Sequence, residues 1–287
     1  MKTTKKRNSR FYDIMRRLAR NKLAMVGLFI IVALVLIAIF ADFIAPYGYA
    51  EQNWSDAFQA PNADHWFGTD HLGRDLFSRV VYGTRYSLRM GVVTVAIAAS
   101  LGTIVGAFAG FYGGSFDNIV MRVLDIFQSI PILVFAIILA AALEPGLNNA
   151  IVAMGVSTMP IYARLIRASI MQERGSEYVE AATAINAGDM RILFRHILPN
   201  AISPMIVHVT MNIGSAILIA STLSFLGLGA QEPTPEWGAI LSGARSYMRD
   251  YGYMLIFPGI MIMLSVLSFN LLGDGLRDAL DPRLKGN

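Results

Sequence analysis

The chain has 287 residues, of which 55% are hydrophobic and 15% charged, with a net charge of +4 and no cysteine. Soluble domains usually carry about 25% charged residues, so this composition indicates an integral membrane protein. The lack of cysteine excludes disulfides and thiolate metal sites. The basic residues are spread along the chain rather than gathered on one face, which argues against nucleic-acid binding.

The N-terminal 22 residues hold nine Lys or Arg residues and a single acidic residue, Asp13. The stretch FYDIMRRLARNK, residues 11–22, mixes apolar and basic residues at helical spacing, which predicts an arm on the anionic inner surface of a membrane. The apolar run at about 23–43 exceeds the roughly 7–15-residue core of a signal peptide, so we expect a retained span. Residues 1–60 therefore form one unit of cytoplasmic arm, first span and start of an outer loop.

Five more apolar runs approach the roughly 20 residues that cross a bilayer. The predicted spans cover about 89–110, 118–142, 147–166, 204–228 and 253–273. Together with the first span, they predict an all-α membrane protein with six transmembrane helices. The last five form a membrane domain over residues 85–275.

The distribution of Lys and Arg predicts that both termini are cytoplasmic. In this orientation 18 of the 24 basic residues lie on the cytoplasmic side. The loops 45–85 and 229–252 then face outward. The charged segment 167–200, between the fourth and fifth spans, faces the cytoplasm.

Several residues inside the spans predict how the helices pack and where they bend. Gly102, Gly106 and Gly110 share one helix face and predict close approach of another helix, within this chain or at a subunit interface. Arg122 and Asp125 are three residues apart and predict an ion pair. His208 is expected to be a hydrogen-bonded packing residue rather than a proton relay. Three prolines in or near the spans predict kinks: Pro131, Pro160 and Pro258.

The sequence shows neither an ATP-binding motif nor the carboxylate pairs of proton-driven transport. The phosphate-binding loop of ATPases needs G-x-x-x-x-G-K-[ST], and none of the five lysines, Lys2, Lys5, Lys6, Lys22 and Lys285, follows such a loop. The spans also lack the paired carboxylates of proton-driven carriers. Active transport would thus take its energy from a partner on the cytoplasmic segment 167–200, and a self-powered carrier or channel is the alternative of a different class.

The stretch EAATAINAGDMRILFRHILPN, residues 180–200, resembles the EAA loop of membrane subunits of binding-protein-dependent ABC importers. Glu180, Ala181 and Ala182 match the start of that pattern, and Leu198 and Pro199 match its end. The resemblance implies that residues 167–200, here called the coupling loop, contain a short helix that docks on an ATPase subunit. We expect Met190, Leu193, Phe194 and Ile197, which recur at helical spacing, to pack the next turn against the bundle.

Two positions depart from this family pattern. His196 stands where the family has isoleucine, with Ile197 beside it. Asn186 stands where the family has glycine, with Gly188 close by. Asparagine tolerates a positive φ better than other non-glycine residues. We therefore expect Asn186 to support the turn between two short helices.

Two further stretches narrow the resemblance. Residues 65–91, HWFGTDHLGRDLFSRVVYGTRYSLRMG, and residues 110–131, GFYGGSFDNIVMRVLDIFQSIP, resemble the permeases of dipeptide, oligopeptide and nickel importers. The arm and first span resemble the C-type permease of these systems. The resemblance implies a type I ABC importer transmembrane domain in a bacterial cell membrane.

The same resemblance implies partners and a solute. It implies a homologous second permease, two ATP-binding cassette ATPases and an external solute-binding protein, with no cofactor and no catalytic residue in this chain. Dipeptides or oligopeptides are the expected solutes; nickel, glutathione-like peptides and other small solutes are alternatives. His65 and His71, without further ligands, are too few to predict a metal site.

Overall fold

The structure is a computed structural model that describes residues 4–280, with side chains from Tyr12 onward. The described chain is almost entirely helical, and its β pairing is a single bridge between Thr69 and Asp75. The α-helices in chain order are α1 (Thr4–Arg20), α2 (Lys22–Ile39), α3 (Ala41–Ile44), α4 (Leu76–Tyr112), α5 (Gly114–Gln128), α6 (Ile132–Ala142), α7 (Leu147–Arg174), α8 (Glu177–Ala184), α9 (Asp189–Arg191), α10 (Leu198–Ala201), α11 (Ser203–Phe225), α12 (Trp237–Ala244) and α13 (Tyr253–Leu280).

Five of these helices are long and apolar enough to cross a membrane: α2, α4, α7, α11 and α13. The pair α5 and α6, which are bent by 86° relative to each other, makes a sixth span when the two helices are counted as one. The predicted span at about 118–142 falls on this pair, and the kink predicted at Pro131 lies in the break between its two helices. Pro131 directly precedes α6, and proline disfavours helical backbone at the residue before it and cannot donate a backbone bond.

The second span begins earlier than predicted. Helix α4 starts at Leu76, whereas the apolar pattern placed its start at 89. The Asp75 carboxylate accepts a 2.7 Å hydrogen bond from the Ser78 amide and caps the helix. This first part of the helix was missed because three arginines lower its hydropathy: Arg79, Arg85 and Arg89.

The two remaining prolines do not interrupt their helices. Pro160 lies inside α7 and Pro258 lies inside α13, and both helices continue through them. Of the three predicted proline sites, only Pro131 coincides with a break in the helical backbone.

The three glycines of α4 lie against α7. A Cβ atom added at Gly102 would lie 2.6 Å from the Tyr162 Cβ, and one at Gly110 would lie 2.8 Å from the Arg167 carbonyl oxygen. A Cβ at Gly106 would overlap the carbonyl oxygen of Ala163. The glycine face therefore lets the two helix backbones touch within one chain.

Replacing Gly106 by alanine should destabilise the bundle by about 2 kcal/mol, because the new methyl group meets backbone that cannot move aside. Thermal melting of the purified protein in mild detergent measures this. Gly259→Ala, in α13, is the control, because a Cβ at Gly259 meets no atom within 4 Å. Equal melting temperatures for both variants would contradict the close contact.

Helix α5 is joined to α7 by two ion pairs. The Arg167 guanidinium donates two hydrogen bonds of 2.5 Å to the Asp117 carboxylate, and Arg164 donates one of 2.6 Å to Asp125. The predicted pairing of Arg122 with Asp125 is therefore wrong. Asp125 pairs across to the neighbouring helix, an arrangement that spacing along one helix cannot reveal.

Candidate functional site

The coupling loop leaves the bundle at the end of α7 and returns to it at α11. Its first part, residues 167–174, continues α7, and Gly175 ends that helix. Helix α8 follows, and after a turn α9 leads into a π-helical turn at residues 192–197. Pro199 cannot donate to the Arg195 carbonyl, and α-helical bonding resumes only at α10 and α11.

The turn after α8 is built around Asn186. This residue has φ of +59°, in the left-handed region. The Asn186 amide donates to the Thr183 carbonyl at 2.9 Å, and the Ala187 amide donates to the Ala182 carbonyl at 3.1 Å. These two bonds define a Schellman motif, whose left-handed position is usually glycine. Asn186 thus adopts the conformation that the family's glycine would supply.

Gly188 does not share in this turn. Its φ is −67°, which any residue can adopt, and a Cβ atom there would meet nothing within 4 Å. Asn186 alone makes the turn.

Asn186→Gly should preserve or slightly raise stability and uptake, whereas Asn186→Val should destabilise the loop by about 1–2 kcal/mol, because a β-branched residue resists positive φ. Melting temperature and solute uptake of the assembled transporter measure both effects. Gly188→Ala is the control and should resemble the unchanged protein. Equal behaviour of the glycine and valine variants would remove the turn assignment.

The residues of α8 divide between the bundle and the solvent. Val179 and Ala182 are buried, each 6% exposed, while Glu180, Ala181 and the next turn face outward. Ala182 therefore packs inside this chain, and its small size serves the bundle rather than an external partner.

Ile185 is the feature of this surface that the sequence analysis missed. Its side chain is 80% exposed at the end of α8. Single exposed apolar side chains are common on protein surfaces, so what distinguishes Ile185 is its place on the same segment as the exposed Glu180 and Ala181. Its position just before the motif's turn was the available signal.

Four residues after the Asn186 turn were predicted to pack against the bundle, and two of them are buried. Leu193 and Ile197 are fully buried at 0% exposure, as the helical spacing predicted. Met190 and Phe194 are instead 45% and 50% exposed. The π-helical turn changes the angular spacing of residues 192–197, so a regular helical pattern could not place all four inside.

A cavity of about 730 Å³ lies beside the coupling loop, between α11 and α13. It has mixed apolar and polar walls, and its polar side chains are Ser203, His208, Asn212, Ser215, Asn270 and Arg277. The His208 Nδ1 atom lies 2.5 Å from the Asn212 amide nitrogen, so His208 is hydrogen-bonded as predicted. Polar side chains on one face of a membrane helix usually face a partner or an aqueous path.

The predicted outer loop 229–252 is folded rather than open. Helix α12 sits in it with Trp237 fully buried, and the Trp237 indole donates a 3.0 Å hydrogen bond to the Val80 carbonyl. Gly83 has no side chain, which leaves room for the Trp237 ring. We call residues 45–75 and 229–252 the outer cap.

Glu236 holds α12 in place. Its carboxylate is 0% exposed and accepts hydrogen bonds from the Ser87 hydroxyl at 3.0 Å and the Ser221 hydroxyl at 2.9 Å. It also accepts a 3.0 Å bond from the Ala239 amide, capping α12. One side chain therefore joins α4, α11 and α12.

Arg74 joins the two halves of the outer cap. It donates to Asp70 at 2.6 Å and to Glu232 at 2.9 Å. Burial would lower the pKa of Arg74, but the hydrogen bond that Arg74 donates to Glu232 and the charge of Asp70 outweigh it and raise the pKa. Burial would raise the pKa of Glu232, but the hydrogen bond and charge of Arg74 outweigh it and lower the pKa. Both shifts favour the charged pair.

The two histidines of the outer cap contact different partners. His65 Nδ1 is 2.9 Å from the Asp75 carboxylate, and His71 stacks on Tyr247 with 5.3 Å between ring centroids. Within residues 4–280 no three His, Cys, Asp or Glu side chains gather as metal ligands would.

The membrane-length helices, the charged loop between α7 and α11 and the folded outer cap define a multi-span integral membrane protein. Residues 102–286 match the family described as "binding-protein-dependent transport system inner membrane component", and residues 9–61 match "N-terminal TM domain of oligopeptide transport permease C". The chain belongs to this family of ABC importer permeases and is an integral membrane protein.

Curated relatives cover almost the whole chain. The dipeptide transport system permease protein DppC of Alkalihalophilus pseudofirmus is 47% identical over 273 residues, which is 95% of this chain and 90% of that protein. The glutathione transport system permease protein GsiD of Escherichia coli O157:H7 is 45% identical over 277 residues, 96% of this chain and 91% of that protein.

A solved structure shares the fold. In inward-facing conformations of the MetNI methionine ABC transporter, a chain superimposes with a TM-score of 0.59 and 21% identity, over 72% of this chain and 98% of that chain. This likeness shows the fold alone.

Proposed function

We propose that this chain pairs with a homologous permease, two ATPase subunits and an external solute-binding protein to import short peptides. The observation that carries the proposal is the solvent-facing edge of α8, where Glu180, Ala181 and Ile185 project from the coupling loop. Small and apolar residues there allow close contact, and Glu180 offers a hydrogen-bond acceptor.

The energy for import comes from the ATPases. The chain's five lysines follow no phosphate-binding loop, so nucleotide binding belongs to the partner docked on the coupling loop. Movement of α8 passes to the bundle through Val179, Ala182 and the fully buried Leu193 and Ile197. ATP drives the cycle because it favours one of the two access states of the pathway over the other.

The solute path runs between this permease and its partner. The cavity between α11 and α13 contributes part of its wall, since its polar side chains and apolar surface together suit a small peptide. The related permeases carry dipeptide and glutathione in their names, which favours short peptides over nickel. The outer cap presents the surface on which the solute-binding protein docks.

Affinity purification from the native membrane in mild detergent tests the assembly. The expected result is co-purification of a homologous permease and two ATPases, identified by mass spectrometry. Reconstituted with the binding protein, this complex should take up labelled dipeptide only with ATP. Uptake by this chain alone in liposomes would overturn the proposal in favour of a self-powered carrier.

Competition experiments on the same liposomes test the solute. Unlabelled dipeptides, longer peptides and glutathione should reduce uptake of the labelled dipeptide to different extents, which would rank the preferred length. Nickel uptake without peptide uptake would overturn the peptide assignment while leaving the importer assembly intact.

A further inference from the structure

The N-terminal arm is fixed against the end of the last helix. Leu18 and Ala24 form a buried cluster with Ala279 of α13, and Gly275 lets Ala24 approach α13 closely. Asn21 separates α1 from α2 and caps α2 by accepting a 3.1 Å bond from the Ala24 amide. Helix α1 therefore has a defined position on the bundle.

This packing leaves a polar cleft of about 440 Å³ between α1 and the end of α13, here called the arm cleft. Three arginines line it, Arg16, Arg17 and Arg20, against two carboxylates, Asp13 and Asp278. Among the described side chains, none of these arginines lies within 4.0 Å of a carboxylate oxygen. Their guanidinium groups are exposed or partly exposed, so their donors are accessible to a ligand that enters the arm cleft.

The arm cleft adjoins the start of the apolar span α2, where that span would meet lipid headgroups. Helix α2 enters the apolar span at Lys22, two residues after Arg20. The neighbouring surface of α2 is apolar and exposed, with Leu23 at 64%, Val26 at 50% and Phe29 at 74%. A molecule with an anionic head and apolar tails would contact both surfaces at once.

We propose that the arm cleft binds the phosphate of an anionic phospholipid, with the acyl chains against α2. Arginine's planar fork matches phosphate oxygens with two parallel hydrogen bonds, and basic clusters beside membrane helices attract anionic headgroups. Inorganic phosphate offers the same headgroup chemistry without the tails. The lipid also anchors the arm at the membrane surface.

The test uses the full chain in nanodiscs of phosphatidylcholine, with and without phosphatidylglycerol, and counts retained lipids by native mass spectrometry. The unchanged protein should retain phosphatidylglycerol preferentially and melt at a higher temperature in its presence. The triple variant R16Q/R17Q/R20Q should lose affinity by about fivefold for each arginine removed. The charge-matched control R191Q/R245Q/R249Q should keep the preference, since its three residues lie outside both the arm cleft and α2.

Three outcomes would overturn the proposal. The first is equal retention of both lipids by the unchanged protein. The second is equal protection by inorganic phosphate alone, which would assign the arm cleft to a free anion. The third is an equal loss of stability of the glutamine variant in both lipids, which would mean that the arginines only stabilise the end of α13.

If the glutamine variant does not fold, R16K/R17K/R20K decides: it keeps the charge but loses the planar guanidinium fork, so unchanged retention would contradict the proposed phosphate geometry.

Discussion

Replacing Ala181 by tryptophan is expected to lower ATP-driven uptake roughly hundredfold while leaving the permease folded. Ala181 is exposed on α8, so the indole has room in this chain and clashes only with a docked ATPase. A clash of about 3 kcal/mol in a close interface corresponds to that loss. Uptake in proteoliposomes and co-purification of the ATPases measure it.

The matched control is Ala19→Trp. Ala19 is also exposed and lies on the same predicted side of the membrane, in α1, but outside the coupling loop. The Ala19→Trp variant should show normal uptake and should still co-purify with the ATPases. Full uptake by the Ala181 variant would remove the coupling loop as the docking surface, whereas loss of its folded protein would show that Ala181 has a structural role instead.

Replacing Glu236 by alanine is expected to destabilise the protein by about 3 kcal/mol. The change removes the cap of α12, worth about 1 kcal/mol, and leaves the buried Ser87 and Ser221 hydroxyls without their charged acceptor. Helix α12 should then separate from α4 and α11. Thermal melting in detergent, with protease accessibility of residues 237–244, measures both effects.

Glu232→Ala serves as the control for this prediction. Glu232 lies in the same outer loop and bonds to Arg74, yet its side chain is 49% exposed. The buried Arg74 keeps its 2.6 Å hydrogen bond to Asp70 when Glu232 is removed, so this variant should lose only about 1 kcal/mol. Comparable melting temperatures for the two variants would contradict the structural role of Glu236.

The regular parts of the fold could be predicted because their signals are local. Six apolar runs matched six spans, counting α5 with α6, since the length and hydropathy of a run decide whether it can cross a bilayer. The family was recognised from short stretches such as residues 180–200, and the family matches confirm that recognition; the docking role of the coupling loop stays a prediction. The ends of α4, α7 and α13 were misjudged, because helices continue through polar sequence outside the hydrocarbon.

The contacts of individual side chains could not be predicted, since they join distant parts of the chain. Asp125 binds Arg164 instead of nearby Arg122. The Trp237 indole reaches Val80, and Glu236 reaches Ser87. Nothing in the outer loop's sequence distinguishes the buried Glu236 from the half-exposed Glu232.

The amino-acid sequence by itself determined the class of this protein and its apolar spans, and it predicted the orientation and the coupling loop, because hydropathy, charge distribution and motif spacing are properties of consecutive residues. Only the tertiary structure decided that Ala182 faces the bundle while Ala181 and Ile185 face outward. It also decided that α12 is buried and that the arm closes a basic cleft against α13. These features depend on which helices pack together, and packing is set by the shapes of surfaces far apart in the chain.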